Sequence, residues 1–157
     1  MNPSIRTALA AAALLLAAAS AHSQTRYTYS TAGDEVTDSK TGLIWRRCSE
    51  GQTWSGSTCT STAATYTHEQ ALAQAKAQAG TAGWRLPNVK ELGSIADKTR
   101  TSPAIDPAAF PATPSNWYWS STPYAVYSSD AWYVDFGLGG VNYGYVRYYG
   151  LHVRLVR

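Results

Sequence analysis

Residues 117–157 read WYWSSTPYAVYSSDAWYVDFGLGGVNYGYVRYYGLHVRLVR, and this stretch decides how the rest of the chain is understood. It holds eight of the eleven tyrosines and three of the six tryptophans, so most of the aromatic bulk lies in the last quarter. From Ala131 to Phe136, the residues Trp132, Val134 and Phe136 alternate with Tyr133 and Asp135. That period of two gives a strand one buried and one exposed face. Gly137-Leu138-Gly139-Gly140 supplies a turn, Val141 to Tyr145 a second strand and Leu151 to Val156 a third. Trp84, Trp119 and Trp132 are expected in the core.

The same stretch has the composition of a contact surface. Seven tyrosines fall between Tyr124 and Tyr149, mostly beside Gly, Ser or Asn and outside the apolar alternation, and the forty-one residues contain no Lys, Glu, Gln or Met. Tyrosine offers a large amphipathic face at low entropic cost, while Ser and Gly let the backbone adapt. An aromatic β-core would also use tyrosine, but the placement outside the alternation favours display. Tyr127, Tyr133, Tyr143, Tyr145, Tyr148 and Tyr149 are therefore expected to cluster on one exposed face.

Working outward, Asn88 caps a helix with Glu91 reaching back from the third position, and Leu92, Ile95 and Ala96 form its buried stripe. Arg85 and Glu91 read as a structural ion pair. Thr67 and Gln70 make a second capping box, with Ala71, Leu72, Ala75 and Ala79 at helical spacing and Gly80 as the stop. His68 is expected on the surface of this helix. Residues 98–116 hold four prolines and no period, an ordered but irregular connection. Residues 34–48 read as a hairpin turning at Asp38 to Gly42, and the Ser-, Thr- and Gly-rich segment Ser49 to Thr65 as a loop.

The amino terminus carries Arg6, an apolar run from Thr7 to Ala19 and the small-residue site Ala19-Ser20-Ala21, the pattern of a secretory signal peptide over 1–21. The run is shorter than the roughly 20 apolar residues of a membrane span, and no cysteine adjoins the cleavage site. A periplasmic or secreted protein is expected, with one domain over 22–157. Losing Arg6 lowers the charge from +3 to +2, with 12 basic and 10 acidic residues, and no basic run supports nucleic-acid binding. After export, Cys48 and Cys59 most simply form a disulfide. A metal site would need more ligands than the scattered His22, His68 and His152 provide. No catalytic residue, metal ligand or cofactor is assigned.

Three blocks carry a resemblance: VTDSKTGLIW (36–45), GWRLPNVKEL (83–92), and YWSST (118–122) with the terminal HVRLVR (152–157). In this order they resemble the C-terminal domain of the collagen-like bacterial adhesin, a family similar in fold to C-type lectins and the formylglycine-generating enzyme. The resemblance implies an α+β, C-type-lectin-like fold: two helices packed on a small twisted antiparallel sheet with long loops. Tryptophans aside, every residue of 117–157 can be encoded by a codon ending in C, as expected where asparagine codons are changed at their adenines. In this respect residues 124–151 resemble the variable region of proteins diversified by retroelements. The resemblance makes Val126, Tyr127, Asp130, Tyr133, Asp135, Leu138, Asn142, Tyr143, Tyr145, Tyr148, Tyr149 and Leu151 the variable, ligand-binding positions. WSSTPYA, Ala131-Trp132, Val134, Phe136 and HVRLVR would be the fixed frame.

The leading expectation is an exported, non-enzymatic protein that binds a protein or glycan through this surface. An adhesin for sulfated polysaccharide ranks lower, because the last quarter offers only Arg147, Arg154 and Arg157. An oxidase of the formylglycine-generating kind is disfavoured. That resemblance implies paired cysteines in the C-terminal half, and both cysteines here lie early.

Overall fold

The computed structural model describes residues 25–157 except Thr81. The signal peptide read over 1–21 and His22 lie outside the described residues. Three strands open the domain: β1 (Tyr27–Tyr29), β2 (Glu35–Asp38) and β3 (Ile44–Arg46), antiparallel in that spatial order. The hairpin turns where expected. The buried Asp38 carboxylate accepts from Arg26 Nε and Nη2 at 2.9 and 2.7 Å and from the Lys40 N–H at 3.0 Å, while the Gly42 N–H closes on its carbonyl at 2.8 Å. Gly42 sits at φ +73°, which glycine adopts without strain. Cys48 and Cys59 are joined in a disulfide. The segment read as loop contains a two-stranded ribbon, β4 (Thr53–Trp54) and β5 (Cys59–Thr60).

Both helices start at their capping boxes. In α1 (His68–Ala79), the Gln70 N–H donates to Thr67 Oγ1 and the Thr67 N–H to Gln70 Oε1, at 3.3 and 2.9 Å. The helix stops at Gly80. Its buried stripe is His68, Ala71 and Ala75, not the expected line through Leu72, which is exposed. Alanine at two of the three positions lets the helix lie close to the core, and the turn this forces carries His68 inward. The expectation of a surface His68 is therefore corrected. In α2 (Val89–Ser94), Asn88 and Glu91 exchange the same pair of bonds, Leu92 is fully buried, and Glu91 receives both terminal nitrogens of Arg85 at 2.7 and 2.8 Å.

The tail Leu151 to Arg157 departs from the expected third strand. His152 to Val156 are all buried, so no exposed face exists to alternate with. It threads between two core clusters and bridges Tyr66, Trp45, Arg85 and Tyr118 singly. Arg154 is fully buried. Its guanidinium donates to the carbonyls of Arg46 and Arg47 and to the hydroxyls of Ser49 and Thr113, and it stacks on Phe110 at 4.8 Å. Residues 98–116 are irregular, as expected, and contribute Ala104, Ile105, Ala109 and Phe110 to the core.

Candidate functional site

The last three strands, β6 (Trp117–Pro123), β7 (Asp130–Asp135) and β8 (Gly140–Val146), form an antiparallel sheet with β7 in the centre. Its register slips twice. Trp119 pairs with Tyr133 but Pro123 with Ala131, so β6 carries two extra residues. Tyr133 pairs with Asn142 but Ala131 with Tyr145, so β8 carries one. Gly144 lies in that bulge at φ +77°, the backbone conformation a bulge position demands and glycine supplies. Such bulges raise local twist and re-aim side chains.

Adjacent strand residues face opposite ways, and this divides the aromatics into two groups. On one face, Tyr143 stacks on Tyr124 at 5.0 Å and 24°, and both pack against Trp132, at 5.3 and 5.9 Å. Tyr127 adjoins Tyr124 at 6.0 Å. On the other face, Trp117 packs against Tyr133 and Tyr145 at 5.1 and 4.8 Å, and the row continues from Tyr145 to Tyr149 at 5.0 Å and on to Tyr148 at 4.5 Å. Tyr127 is 61 % exposed, Tyr143 60 % and Tyr148 68 %, with Tyr149, Val126 and Val141 also exposed. Tyr133 and Tyr145 are half-buried against the second core cluster. Burial, then the neighbouring Asp135, raises the pKa of the Tyr133 hydroxyl.

The expected single face is therefore two. Val126, Tyr127, Tyr143, Tyr148 and Tyr149 are exposed, while Asn142 is half-buried. Leu138 is exposed but belongs to the turn joining β7 to β8, at the opposite end of the strands from Tyr127 and Tyr148. Asp135 holds that turn, accepting the Gly137 N–H at 2.6 Å. Two positions expected at the surface are buried. Asp130 accepts from Ser129 Oγ at 2.8 Å and its carbonyl from Arg147 Nε at 3.0 Å, while Leu151 is paired with Tyr66. Trp132, expected in the core, is only half-buried, because it falls opposite the β8 bulge where the apolar alternation breaks. It and the half-buried Tyr124 pack with the exposed Tyr143, although both were expected in the frame.

A groove of about 630 Å³ runs between the first turns of α1 and the end of β8, lined by His68, Glu69, Leu72, Val146, Arg147 and Tyr148. His68 Nε2 is bonded to the Ser120 carbonyl at 2.9 Å and its ring stands edge-on to Trp119, so its bonding partner is backbone. Burial lowers its pKa, and likewise that of His152, whose Nδ1 meets the Ala64 carbonyl. Of the three expected cations, Arg154 is enclosed, Arg157 pairs with Glu35 at 2.7 Å and Arg147 is bound to the Asp130 carbonyl. Among the described residues, no three His, Cys, Asp or Glu side chains gather as a cation site. Among them too, no helix is long and apolar enough to cross a membrane.

The family model described as the Lcl C-terminal domain matches residues 34–157, and the chain belongs to that family. No curated protein matches the chain significantly. No solved structure does so either.

Proposed function

We propose that this member of the Lcl C-terminal domain family is an exported, non-enzymatic binding protein that recognises a protein or glycan through the tyrosines flanking β8. The observation that carries the reading is the Tyr124, Tyr127, Trp132 and Tyr143 group. It is a set of rings packed around Tyr124, two of them more than half exposed, beside the exposed Val126. Packed rings hold each other in place, so a ligand meets a surface already ordered and the entropy lost on binding is small. Apolar patches of this kind on a surface mark interaction sites.

The frame is proposed to be C-type-lectin-like, and residues 124–151 to be the target of a diversity-generating retroelement. In support, the exposed positions lie on β8 and its flanking loops, while the surrounding buried residues come from Trp119, Val134, Phe136 and the tail. A near-copy of the 3′ end of the gene, differing at adenines and next to a reverse-transcriptase gene, is the expected genomic context. Its absence would remove the retroelement from the proposal. The disulfide between the two early cysteines leaves no cysteine pair for an oxidase of the formylglycine-generating kind.

The test is a combined Tyr127→Ser, Tyr143→Ser, Tyr148→Ser and Tyr149→Ser variant, screened beside the parent protein on a glycan array and a displayed dodecapeptide library. The aromatic pairs lost at these exposed positions are worth about 0.5 to 1.5 kcal/mol each, well below the roughly 3 to 5 kcal/mol of each truncated core aromatic. The protein should therefore still fold, with a lowered melting temperature, while binding is lost. A collapse of the melting temperature would make these tyrosines core residues, and unchanged binding would place the contact surface elsewhere.

A further inference from the structure

The two tyrosine groups lie on opposite faces of the sheet, and each includes a residue of its edge strand β8, Tyr143 in one and Tyr145 in the other. The hydrogen-bond pattern identifies what that edge offers. The Arg147 N–H donates to the Ser129 carbonyl at 2.9 Å, which makes Ser129 and Arg147 a bonded pair. Backbone groups along a central antiparallel strand alternate between its neighbours. Counting from Ser129, those of Ala131, Tyr133 and Asp135 serve β8, and those of Asp130 and Trp132 face β6. The latter is seen directly: the Tyr124 N–H meets the Asp130 carbonyl at 3.1 Å and Ser120 Oγ meets that of Trp132 at 2.8 Å. With Asn142 opposite Tyr133 and Gly140 opposite Asp135, Val141 and Tyr143 turn their N–H and C=O groups away from β7. Among the described residues, neither makes a backbone bond to any other segment.

Strand edges are ordinarily blunted by Lys, Pro, inward-facing charge or a bulge. Gly140 to Val146 contains no Lys, Pro or charge, and its bulge at Gly144 lies beyond Val141 and Tyr143. Beside the edge lies a groove of about 400 Å³ lined by Val89, Lys90, Gly93, Lys98, Gly139 and Val141. A Cβ on Gly93 would stand 3.0 Å from Val141 Cγ2, so glycine is what lets α2 approach the strand this closely. Lys90 and Lys98 are exposed, and among the described residues neither takes part in an ion pair.

We propose that the β8 edge takes up an extended acidic segment of a partner polypeptide as a fourth strand. Val141 and Tyr143 supply its main-chain bonds, the Tyr143 stack and the Tyr145 to Tyr149 row clasp its two faces, and Lys90 and Lys98 receive its carboxylates. Pairing with an exposed edge draws affinity from main-chain bonds and specificity from flanking pockets. The edge therefore stays constant when side chains on either side of it change. A second copy of this chain fits poorly, because it would bring its own lysines to the same groove. This inference rests on the proposed contact surface and names its partner class.

The experiment selects binders from a displayed random dodecapeptide library and resynthesises the best one, with and without N-methylation of alternate amides. Expected are acidic sequences with strand-like alternation that slow amide exchange at Val141 and Tyr143. Val141→Pro, which removes one outward N–H, and the surface pair Lys90→Glu with Lys98→Glu should each weaken binding about tenfold or more, as should the N-methylated peptide. Binding that survives all three yet is lost in the four-tyrosine variant would overturn the edge and leave the contact surface standing. Failure to enrich any peptide, binding only of a sulfated oligosaccharide such as a heparin hexasaccharide, or edge-to-edge dimerisation of the chain would each overturn the proposal. If Val141→Pro does not fold, the lysine variant and the N-methylated peptide still decide the outcome.

Discussion

Two tryptophans thirteen residues apart test the sheet geometry from which the site is built. Trp119 is fully buried, donates its Nε1–H to the Tyr66 carbonyl at 2.8 Å and packs edge-on against His68 at 5.2 Å. Trp132 is half-buried, and its ring packs against Tyr124 at 5.9 Å and Tyr143 at 5.3 Å. Replacing Trp119 by Ala removes a core side chain, at about 3 to 5 kcal/mol. The Tyr66 carbonyl it releases keeps the Leu151 N–H at 3.0 Å, so no unpaired group is left there. That loss reaches the lower end of the whole stability of an ordinary domain, about 5 to 15 kcal/mol. Trp132→Ala forfeits two aromatic contacts at about 0.5 to 1.5 kcal/mol each and leaves water where a ring stood. In a domain of this size that lowers the melting temperature by about 4 to 12 °C. Thermal melts followed by circular dichroism separate the two outcomes. Trp119→Ala should yield little folded protein and Trp132→Ala a folded, somewhat less stable one. Equal losses would mean that Trp132 is a core residue, that the β8 bulge is misplaced and that the exposed group containing Tyr143 does not exist.

Other expectations follow from the frame. Non-reduced mature protein should show no alkylatable thiol, and replacing Cys48 and Cys59 by Ser should cost about 2 to 3 kcal/mol, because the closed loop is short; measured thiols or an unchanged denaturation midpoint would contradict the bridge. Glu91→Ala removes a helix cap and the partner of Arg85, so a loss of about 1 to 2 kcal/mol is expected in urea unfolding. Burial lowers the pKa of His68 and His152 below the ordinary 6.5, so the unfolded chain binds protons more readily than the folded one. Their contribution is fully present above that ordinary value and is lost as pH falls from it towards their lowered folded values. The melting temperature should therefore drop as pH falls below about 6.5, and His68→Gln should flatten the drop; a profile with unchanged slope in the variant would show that His68 does not titrate on unfolding.

Much of this architecture is written locally in the chain. Thr67 with Gln70 and Asn88 with Glu91 start the helices where the capping pattern places them, since each box is completed within four residues and needs nothing from elsewhere. The same holds for the turn at Asp38 to Gly42, for Gly80 as a helix stop, for the Arg85 to Glu91 pair and for two cysteines close enough to bond. The tyrosine-rich composition also marks the region where the exposed aromatics lie. What depended on residues distant in sequence was not legible. His68 turns inward because Trp119 and Ser120 meet it, fifty residues on. Leu151 to Val156 look like an alternating strand, yet neighbours cover them on both sides. Above all, side-chain period assumes an unbroken ladder, and the extra residues in β6 and β8 break it, leaving Trp132 opposite the β8 bulge and setting Tyr143 and Tyr145 on different faces. A register slip leaves no mark on either strand read alone, because it is a property of the pair.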